Sequence, residues 1–192
     1  KTIELNESFC HTIDVQGKIV TPGFIDQHVH ITGGGGQQGY ASLVPEVTMS
    51  ELVACGTTTV LGMLGTDGFA KELTTLYAKA KAIDDDGLSA YMLTSYYGLP
   101  TKTLMNSVAD DLIFIDKVIG CKLAMSDDRS PFPTEQEILR IIHQVRLGGF
   151  TSGKGGILHI HLGALPEGIE PLLNIARHYP TLISYLSPTH LI

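Results

Sequence analysis

Histidines recur in closely spaced pairs along this chain of 192 residues. The first pair, His28 and His30, ends the stretch FIDQHVH, and a run of four glycines follows almost at once. Side chains two positions apart on a strand point to the same face of a sheet. Imidazole is a good zinc ligand, so this pair could supply half of a metal site. Each histidine could equally be a hydrogen-bonded core residue, and the pair alone does not decide.

A second pair, His159 and His161, lies in ILHIHLG, and His190 ends SPTH. Lys122 lies in the apolar stretch VIGCKLAM, although a lysine is almost never fully buried without a partner. Carboxylated by carbon dioxide, its amine would become an anion able to bridge two metal ions. An ordinary lysine there would pair with a carboxylate or reach out to solvent. The sequence leaves both interpretations of Lys122 open.

The elements that would position these residues follow from hydrophobic periodicity. Apolar or β-branched runs typical of buried strands cover 24–30, 57–64, 88–94, 119–125, 156–162 and 182–188. Helical patterns cover 48–55, 69–86, 134–147 and 167–179. Two of these helices begin with Thr and Glu at capping-box spacing. Strands that alternate with helices predict parallel βαβ units, in an open doubly wound sheet or a (β/α)8 barrel.

We favour the α/β barrel of the TIM type, because the glycines at 33–36 lack the GxGxxG spacing of a nucleotide site and follow histidines instead. Parallel barrels place their sites at the carboxyl ends of strands, where the histidines and Lys122 fall. Residues 23–192 are expected to form the first six strands of a (β/α)8 barrel that is incomplete at its C-terminal end. Residues 1–22 are expected to be a remnant of a small β-sandwich domain.

Composition narrows the class of protein. The chain is 43% hydrophobic and 17% charged, which is typical of a globular protein. A net charge of −7 argues against a nucleic-acid partner or an anionic membrane surface. The chain has an odd number of cysteines, Cys10, Cys55 and Cys121, and they lie far apart in sequence. We therefore expect no disulfide framework and a reducing, cytoplasmic location.

The motifs together resemble the amidohydrolase superfamily and, within it, the isoaspartyl (β-aspartyl) dipeptidases, a metallopeptidase family. The resemblance runs from Gly17 to His190. PGFID followed by HVH indicates only the superfamily. The GGGG run after HVH, the LGTDG turn and the Lys–Arg spacing in KLAMSDDR are more specific to the dipeptidases.

The resemblance implies two zinc ions. Their ligands would be His28 and His30 on one ion, His161 and His190 on the other, and carboxylated Lys122 as the bridge. His159 is the alternative to His161, because both face the same way. His161 is preferred because it lies nearer the carboxyl end of its strand.

The resemblance also implies residues that contact the substrate. They are Gly35, Gly36, Gln37, Thr66, Tyr97 and Arg129. Tyr97 would polarise the scissile carbonyl, with its neighbour Tyr96 as the alternative. Arg129 would bind a carboxylate with its guanidinium fork, or could instead be a surface arginine paired with Asp127 or Asp128.

Three departures from the family pattern leave substrate specificity open. Gln37 stands where the family usually has a glutamate, Asp128 where a histidine is common, and Ala164 where an aspartate is typical. An amide would offer the substrate's ammonium a hydrogen bond without a charge. The aspartate that the family uses as metal ligand and general base after its eighth strand is assigned to no residue here.

The resemblance implies metal-dependent hydrolysis of the isopeptide bond in small isoaspartyl dipeptides by a homo-oligomer. A cyclic amidase, similar to a dihydroorotase or hydantoinase, is the first alternative. A catalytically inactive fragment or scaffold is the second, because six of eight barrel strands leave two open edges.

Overall fold

The structure, a computed structural model, describes residues 11–191. Its strands are β1 (Phe24–Val29), β2 (Thr57–Gly62), β3 (Ser89–Ser95), β4 (Val118–Met125), β5 (Ile157–Leu162) and β6 (Leu186–Thr189). Its helices are α1 (Met49–Ala54), α2 (Leu73–Asp85), α3 (Val108–Phe114), α4 (Glu135–Ser152) and α5 (Glu170–His178). Short 3-10 turns lie at Tyr40–Ser42, Thr66–Phe69 and Pro180–Tyr185.

The six strands form one parallel sheet in the order β1-β2-β3-β4-β5-β6. The sheet curls into a half-barrel, consistent with part of a TIM barrel, so the predicted α/β class is confirmed. Strand order that equals chain order is what repeated right-handed βα units produce. Every strand therefore delivers its carboxyl end to the same rim.

The helix-facing side of the sheet carries the main core. Leu158 and Ile160 of β5 are fully buried and join Ile142 and Val145 of α4 in one apolar cluster. Each such side chain stabilises the fold by roughly 1.5–3 kcal/mol through its removal from water. The residues between them, such as His159, point to the inner side of the curl because strand side chains alternate. One apolar cluster thus anchors the strand that carries two of the candidate ligands.

Helix starts were predictable from the sequence, since both capping boxes are present. Thr48 accepts from the backbone N–H of Glu51, and Thr134 from that of Glu137. The predicted end of the second of these helices at residue 147 was wrong. Helix α4 continues through Gly148 to Ser152, because a Cβ at Gly148 would lie 2.7 Å from the Leu112 Cβ, so this glycine allows α3 and α4 to pack closely.

Two further elements differ from expectation. The last strand was predicted at 182–188, but residues 180–185 form a 3-10 turn and only Leu186–Thr189 pair with β5. Helix α3 was not predicted, although Ser107 caps it by accepting from the backbone N–H of Asp110. At seven residues it is too short to show a clear apolar period.

The predicted β-sandwich remnant at 1–22 lies partly outside the described residues, since 1–10 are not described. Residues 11–22 hold a turn closed by Lys18 N–H donating to the Val15 carbonyl at 3.0 Å, and they form no strand. The division into 1–22 and 23–192 stays a prediction.

Cys55 and Cys121 are free thiols, and Cys10 is not among the described residues. None of the helices described in residues 11–191 is both long enough and apolar enough to cross a membrane.

Candidate functional site

Five histidines and one lysine lie at the carboxyl rim of the half-barrel or a few residues inside it. They are His28, His30, Lys122, His159, His161 and His190. Sheet register aligns Lys122 with His159 across β4 and β5, and aligns His161 with Thr189, the residue before His190. Parallel pairing therefore collects side chains that are far apart in the chain.

The imidazole rings pack against one another. Ring centroids lie 5.4 Å apart for His28 and His30, 5.0 Å for His28 and His159, 5.0 Å for His28 and His190, and 4.8 Å for His161 and His190. His28 is at the centre of this group, with three rings around it. The structure thus brings together all four histidines expected to be ligands, together with the alternative His159.

His159 is held by two hydrogen bonds. Its Nε2 lies 2.9 Å from Nδ1 of His28, and its Nδ1 lies 3.0 Å from Oγ of Ser187. His161 is held by other partners, Tyr97 and Asp127. Both histidines belong to the cluster, and the choice of His161 as the ligand stays a prediction.

Lys122 is fully buried, with 0% exposure. Its Nζ has no hydrogen-bond partner within residues 11–191 and lies 5.7 Å from the ring centroid of Tyr97. Burial lowers the pKa of this amine to about 7, because a charged ammonium loses its hydration there. An unpartnered buried amine is costly and rare, and a neutral one is a nucleophile.

The histidines around Lys122 are held neutral. Burial, followed by the charge of Lys122, lowers the pKa of His28 to about 3, and the same two causes come first for His159, whose pKa is also lowered to about 3. The pKa values of His30 and His161 are lowered as well, chiefly by burial. Neutral imidazole keeps a lone pair on one nitrogen, which is the form that binds metals.

The chemistry of this donor set fits divalent metal ions, since it joins neutral imidazoles to an unpartnered buried amine. In the structure these side chains are arranged as a hydrogen-bonded cluster. Within the described part of the chain, no three His, Cys, Asp or Glu side chains are arranged to hold a metal ion. A metal would therefore have to displace bonds such as that between His28 and His159.

Tyr97 and Tyr96 occupy different surroundings. The Tyr97 hydroxyl lies 2.6 Å from Nδ1 of His161, at the cluster, and burial raises its pKa, so the phenol stays protonated. The Tyr96 ring packs over Gly68, where a Cβ would approach its Cδ2 to 2.4 Å, and Lys102 lies 5.2 Å from its centroid. Of the two tyrosines, only Tyr97 is hydrogen-bonded to a candidate ligand.

Asp127 is the residue that sequence reasoning did not assign. It lies two residues past the end of β4, is buried, and accepts from Nε and Nη2 of Arg129 at 2.7 and 2.5 Å. It also lies 2.9 Å from Nε2 of His161. The bonds from Arg129 come first among the causes that lower the pKa of this carboxyl. A polar residue just past a buried strand was the available signal, but the sequence showed it only as one possible partner of Arg129.

The glycine run forms a tight loop beside the rim. Gly35 adopts φ 86°, a left-handed conformation that glycine tolerates, and a Cβ there would lie 2.6 Å from the Ser42 carbonyl oxygen. The Thr66 hydroxyl donates to the Gly35 carbonyl at 3.1 Å and so ties this loop to the turn after β2. The hydrogen bond from Thr66 and the close backbone contacts of the loop hold Gly35, Gly36 and Thr66 together. Gln37 directly follows Gly36 in the chain.

Arg129 lies between two open cavities. One, of 580 Å³, is lined by Arg129, His161 and His190, and the other, of 390 Å³, by Arg129, Gln37 and Thr66. A bound molecule that carries a carboxylate could reach Arg129 from either side. Five of the six residues expected to contact a substrate therefore line these two adjoining cavities, and the sixth, Gly35, directly precedes Gly36 in the loop beside them.

A curled sheet of parallel strands with imidazoles and a buried lysine near its carboxyl rim defines an α/β protein consistent with part of a TIM barrel, a fold that places its sites at that rim. The chain is similar to a beta-aspartyl dipeptidase from the thermophilic keratin-degrading Fervidobacterium islandicum AW-1, in two crystal structures, one of them in complex with beta-Asp-Leu dipeptide. In both, identity is 47% and the TM-score 0.86, over 88% of this chain. The predicted resemblance to the β-aspartyl dipeptidases is thereby confirmed.

A second relative belongs to the same superfamily. Imidazolonepropionase from Ruegeria sp. (strain TM1040), an amidohydrolase superfamily member, is 31% identical over 100 residues. No family model matches the chain. The chain spans 46% of the dipeptidase chain and 25% of the imidazolonepropionase.

Proposed function

We propose that this chain is part of a metal-dependent dipeptidase that hydrolyses the isopeptide bond of β-aspartyl dipeptides. The observation that carries the proposal is the packing of His28, His30, His161 and His190 into one cluster, on the same side of the sheet as Lys122, whose buried Nζ has no partner within residues 11–191. The identity of 47% to a beta-aspartyl dipeptidase supports it independently. We include in the proposal a complete (β/α)8 barrel in the whole protein and a separate small domain that contains residues 1–22.

His28 and His30 would bind one zinc ion, His161 and His190 the other, with carboxylated Lys122 between them. When bound, the two ions would supply a water that ionises near neutral pH and a Lewis acid for the carbonyl oxygen. The chain's own contribution is to keep His28, His30 and His161 neutral, because burial lowers the pKa of each, and so to present lone pairs. A donor set of this kind suits zinc, which accepts imidazole and oxygen ligands.

Lys122 would become the bridge by a simple addition. The neutral amine attacks the carbon of carbon dioxide: an N–C bond forms, one C=O π bond gives its electron pair to oxygen, and an N–H proton passes to water, which yields a carbamate anion with two oxygens. Burial favours this reaction because it lowers the amine pKa to about 7. An ordinary lysine, with a pKa of about 10.4, would be almost entirely protonated at neutral pH.

Tyr97 and Arg129 would handle the substrate. The phenol of Tyr97 stays protonated because burial raises its pKa, so it can donate to the carbonyl oxygen as negative charge develops there. Arg129 would bind the carboxylate of the aspartyl residue, and the loop of Gly35, Gly36 and Gln37 with Thr66 would face its amino group. The aspartate that the family uses to move the proton is assigned to no residue of this chain.

A cyclic amidase of the same superfamily is the second candidate. Two observations favour it: the similarity to an imidazolonepropionase, and a neutral amide at Gln37 where an ammonium would prefer a carboxylate. A catalytically inactive scaffold is the third. A cytoplasmic location and a homo-oligomer remain predictions of the same proposal.

Two measurements on the full-length protein test the proposal. Intact-mass spectrometry under native conditions should find bound zinc and a mass increase of one carbon dioxide that is lost in Lys122→Ala. Hydrolysis of beta-Asp-Leu should exceed hydrolysis of a hydantoin or dihydroorotate by at least about a hundredfold. A preference for the cyclic substrate would favour the second candidate, and zinc-free, inert protein would favour the third.

A further inference from the structure

The Asp127 carboxylate contacts two residues that the proposed function assigns to different tasks. Its Oδ1 accepts from the backbone N–H and Nε of Arg129, at 2.8 and 2.7 Å, and its Oδ2 accepts from Nη2 of Arg129 at 2.5 Å. Oδ2 also lies 2.9 Å from Nε2 of His161. Asp127 is 4% exposed, so these groups replace water as its partners. Charge-assisted bonds of this kind are short and directional.

The contact with His161 determines which of its nitrogens carries the proton. An ionised carboxylate can only accept, so the proton must lie on Nε2 of His161. In a neutral ring Nδ1 then holds the lone pair, and the Tyr97 hydroxyl, 2.6 Å away, donates to it. The nitrogen available to a metal is therefore Nδ1, once Tyr97 moves to the substrate.

The contact with Arg129 determines which of its donors stay available. Nε and Nη2 point to Asp127, which leaves Nη1 without a hydrogen bond to any described residue. The neighbouring carboxylate of Asp128 is 3.5 Å from Nε, with a side chain that is 86% exposed. Asp127, and not Asp128, thus holds the guanidinium in a fixed orientation at the border of the two cavities.

We propose that Asp127 is a positioning residue that joins the metal ligand His161 to the carboxylate-binding Arg129, presenting Nδ1 of the one to the metal and Nη1 of the other to the substrate. The proposal deepens the proposed function and rests on it for the roles of these two partners. Carboxylates that orient ligand histidines in this way typically change metal affinity by roughly 10–100-fold when removed.

Asp127→Asn is the informative substitution because it keeps the shape and reverses one donor. The amide oxygen can still accept from Nε of Arg129, but its NH2 group then faces Nη2 and Nε2, both donors. His161 must therefore move its proton to Nδ1, which removes the lone pair from the metal side. Asp128→Asn removes the same charge one residue away and is the matched control.

The first measurement is made on zinc-free, full-length protein. Two-bond ¹H–¹⁵N correlation spectra distinguish the histidine tautomers, and the His161 signals are identified by their loss in His161→Asn. We expect the Nε2–H tautomer in the unsubstituted protein and in Asp128→Asn, and the Nδ1–H tautomer in Asp127→Asn. A purely structural role for Asp127 would not exchange the tautomer.

The second measurement is Zn²⁺ affinity by chelator competition, with binding of beta-Asp-Leu to the zinc-loaded proteins alongside. Asp127→Asn should weaken zinc binding roughly 10–100-fold and also weaken dipeptide binding, whereas Asp128→Asn should stay within about threefold for both.

An Nδ1–H or doubly protonated His161 in the unsubstituted protein would overturn the proposal, and this result needs no variant to fold. Unchanged zinc affinity in a folded Asp127→Asn protein would overturn it too. The two proposals can also be separated. If the unsubstituted protein shows the Nε2–H tautomer and Asp127→Asn weakens zinc binding, but no isoaspartyl dipeptide is hydrolysed, the link from Asp127 to His161 is upheld while the proposed function fails.

Discussion

Two partly or fully buried lysines occupy opposite ends of the same sheet and have opposite surroundings. Lys154, just before β5, donates to three backbone carbonyls, of Leu112, Ile115 and Val118, at 2.7, 2.5 and 3.1 Å. Lys122, in the carboxyl-terminal half of β4, is fully buried and its Nζ has no partner within residues 11–191. One ammonium is saturated with acceptors, and the other amine has none.

This difference separates stability from function. Lys154 satisfies carbonyls at the end of α3 that the helix itself leaves unpaired, which is a structural task. We expect the unpartnered amine of Lys122 to lower the stability of the metal-free fold, and the proposed function gives a reason why such a cost is tolerated there. In parallel barrels the amino end of the strands serves stability and the carboxyl end serves chemistry, which agrees with the positions of these two lysines.

The largest expected effect is that of Lys122→Met on metal binding. Loss of the only proposed ligand that bridges both ions should weaken zinc binding by at least about a hundredfold, since even indirect contacts are worth roughly 10–100-fold. Hydrolysis should fall with it. Zinc content by elemental analysis and chelator competition would measure the change.

The same variant should not unfold the metal-free protein. Methionine fills a similar volume without a buried amine, so the free energy of unfolding should stay equal or rise by about 1–3 kcal/mol. Lys122→Met protein that keeps full zinc content would contradict the bridging role. A clear loss of metal-free stability would show instead that Lys122 is a structural residue like Lys154.

The pH dependence of metal-free stability should reveal Lys122 next. Its pKa is lowered to about 7 in the folded state, whereas an unfolded lysine has a pKa of about 10.4. Between these values the unfolded chain binds the additional proton, so this group makes stability rise with pH, by at most ~1.4 kcal/mol per unit. Below about 7 both states bind the proton, and the contribution to the slope vanishes.

Urea unfolding of chelator-treated protein between about pH 6 and about pH 10 would measure this slope. This range covers the two pKa values, about 7 in the folded protein and about 10.4 in the unfolded chain. Lys122→Met supplies the control, because the difference between the two proteins isolates the amine. Parallel pH profiles for both would mean that Lys122 is solvated or ion-paired in the folded protein.

Lys154→Met should affect stability and leave the site intact. Three carbonyl oxygens share the loss of one donor, and the Ile115 carbonyl still accepts from the Val118 N–H at 3.2 Å. Each buried group left unpaired costs about 1–3 kcal/mol, and water can replace part of that. We expect a loss of about 1–3 kcal/mol in the free energy of unfolding, with unchanged zinc affinity. Lys79→Met, which breaks the half-exposed ion pair of Lys79 with Glu46 at 3.0 Å, is the control and should cost less than about 1 kcal/mol. Equal losses in the two variants would remove the distinction drawn for Lys154.

The sequence predicted the elements that carry strong local signals. Six apolar runs contain the six strands, and the central ones, β3 and β4, are largely buried, as parallel strands that are apolar on both faces should be. The capping boxes at Thr48 and Thr134 located two helix starts to the residue, since a side chain and a backbone N–H only three positions apart must meet there.

What the sequence did not predict depends on contacts between distant residues. Gly148 suggested a helix end, but its role is to let Leu112 of α3 approach α4. Asp127 could be identified as a link only after β4 and β5 were paired, because His161 lies 34 positions further along the chain. The clustering of the candidate site residues near one rim was predictable from their positions along the strands, whereas their hydrogen-bond partners were not.

The smallest expected effect lies at the structural end of the sheet, at Asp84. This carboxylate accepts from Nζ of Lys117 at 2.5 Å and from the backbone N–H of Ala90 at 3.2 Å, and these bonds, that of Lys117 first, lower its pKa. A lowered carboxyl pKa stabilises the fold above the unfolded value of ~3.9 and is lost as pH falls through the folded value. Asp84→Asn should therefore flatten the acid limb of a stability profile and change little near pH 7 beyond the loss of the ion pair. Asp85→Asn removes the same charge from the adjacent position and is the control. If the stability of the unsubstituted protein and of both variants fell equally with decreasing pH, Asp84 would not contribute to holding the amino end of β3.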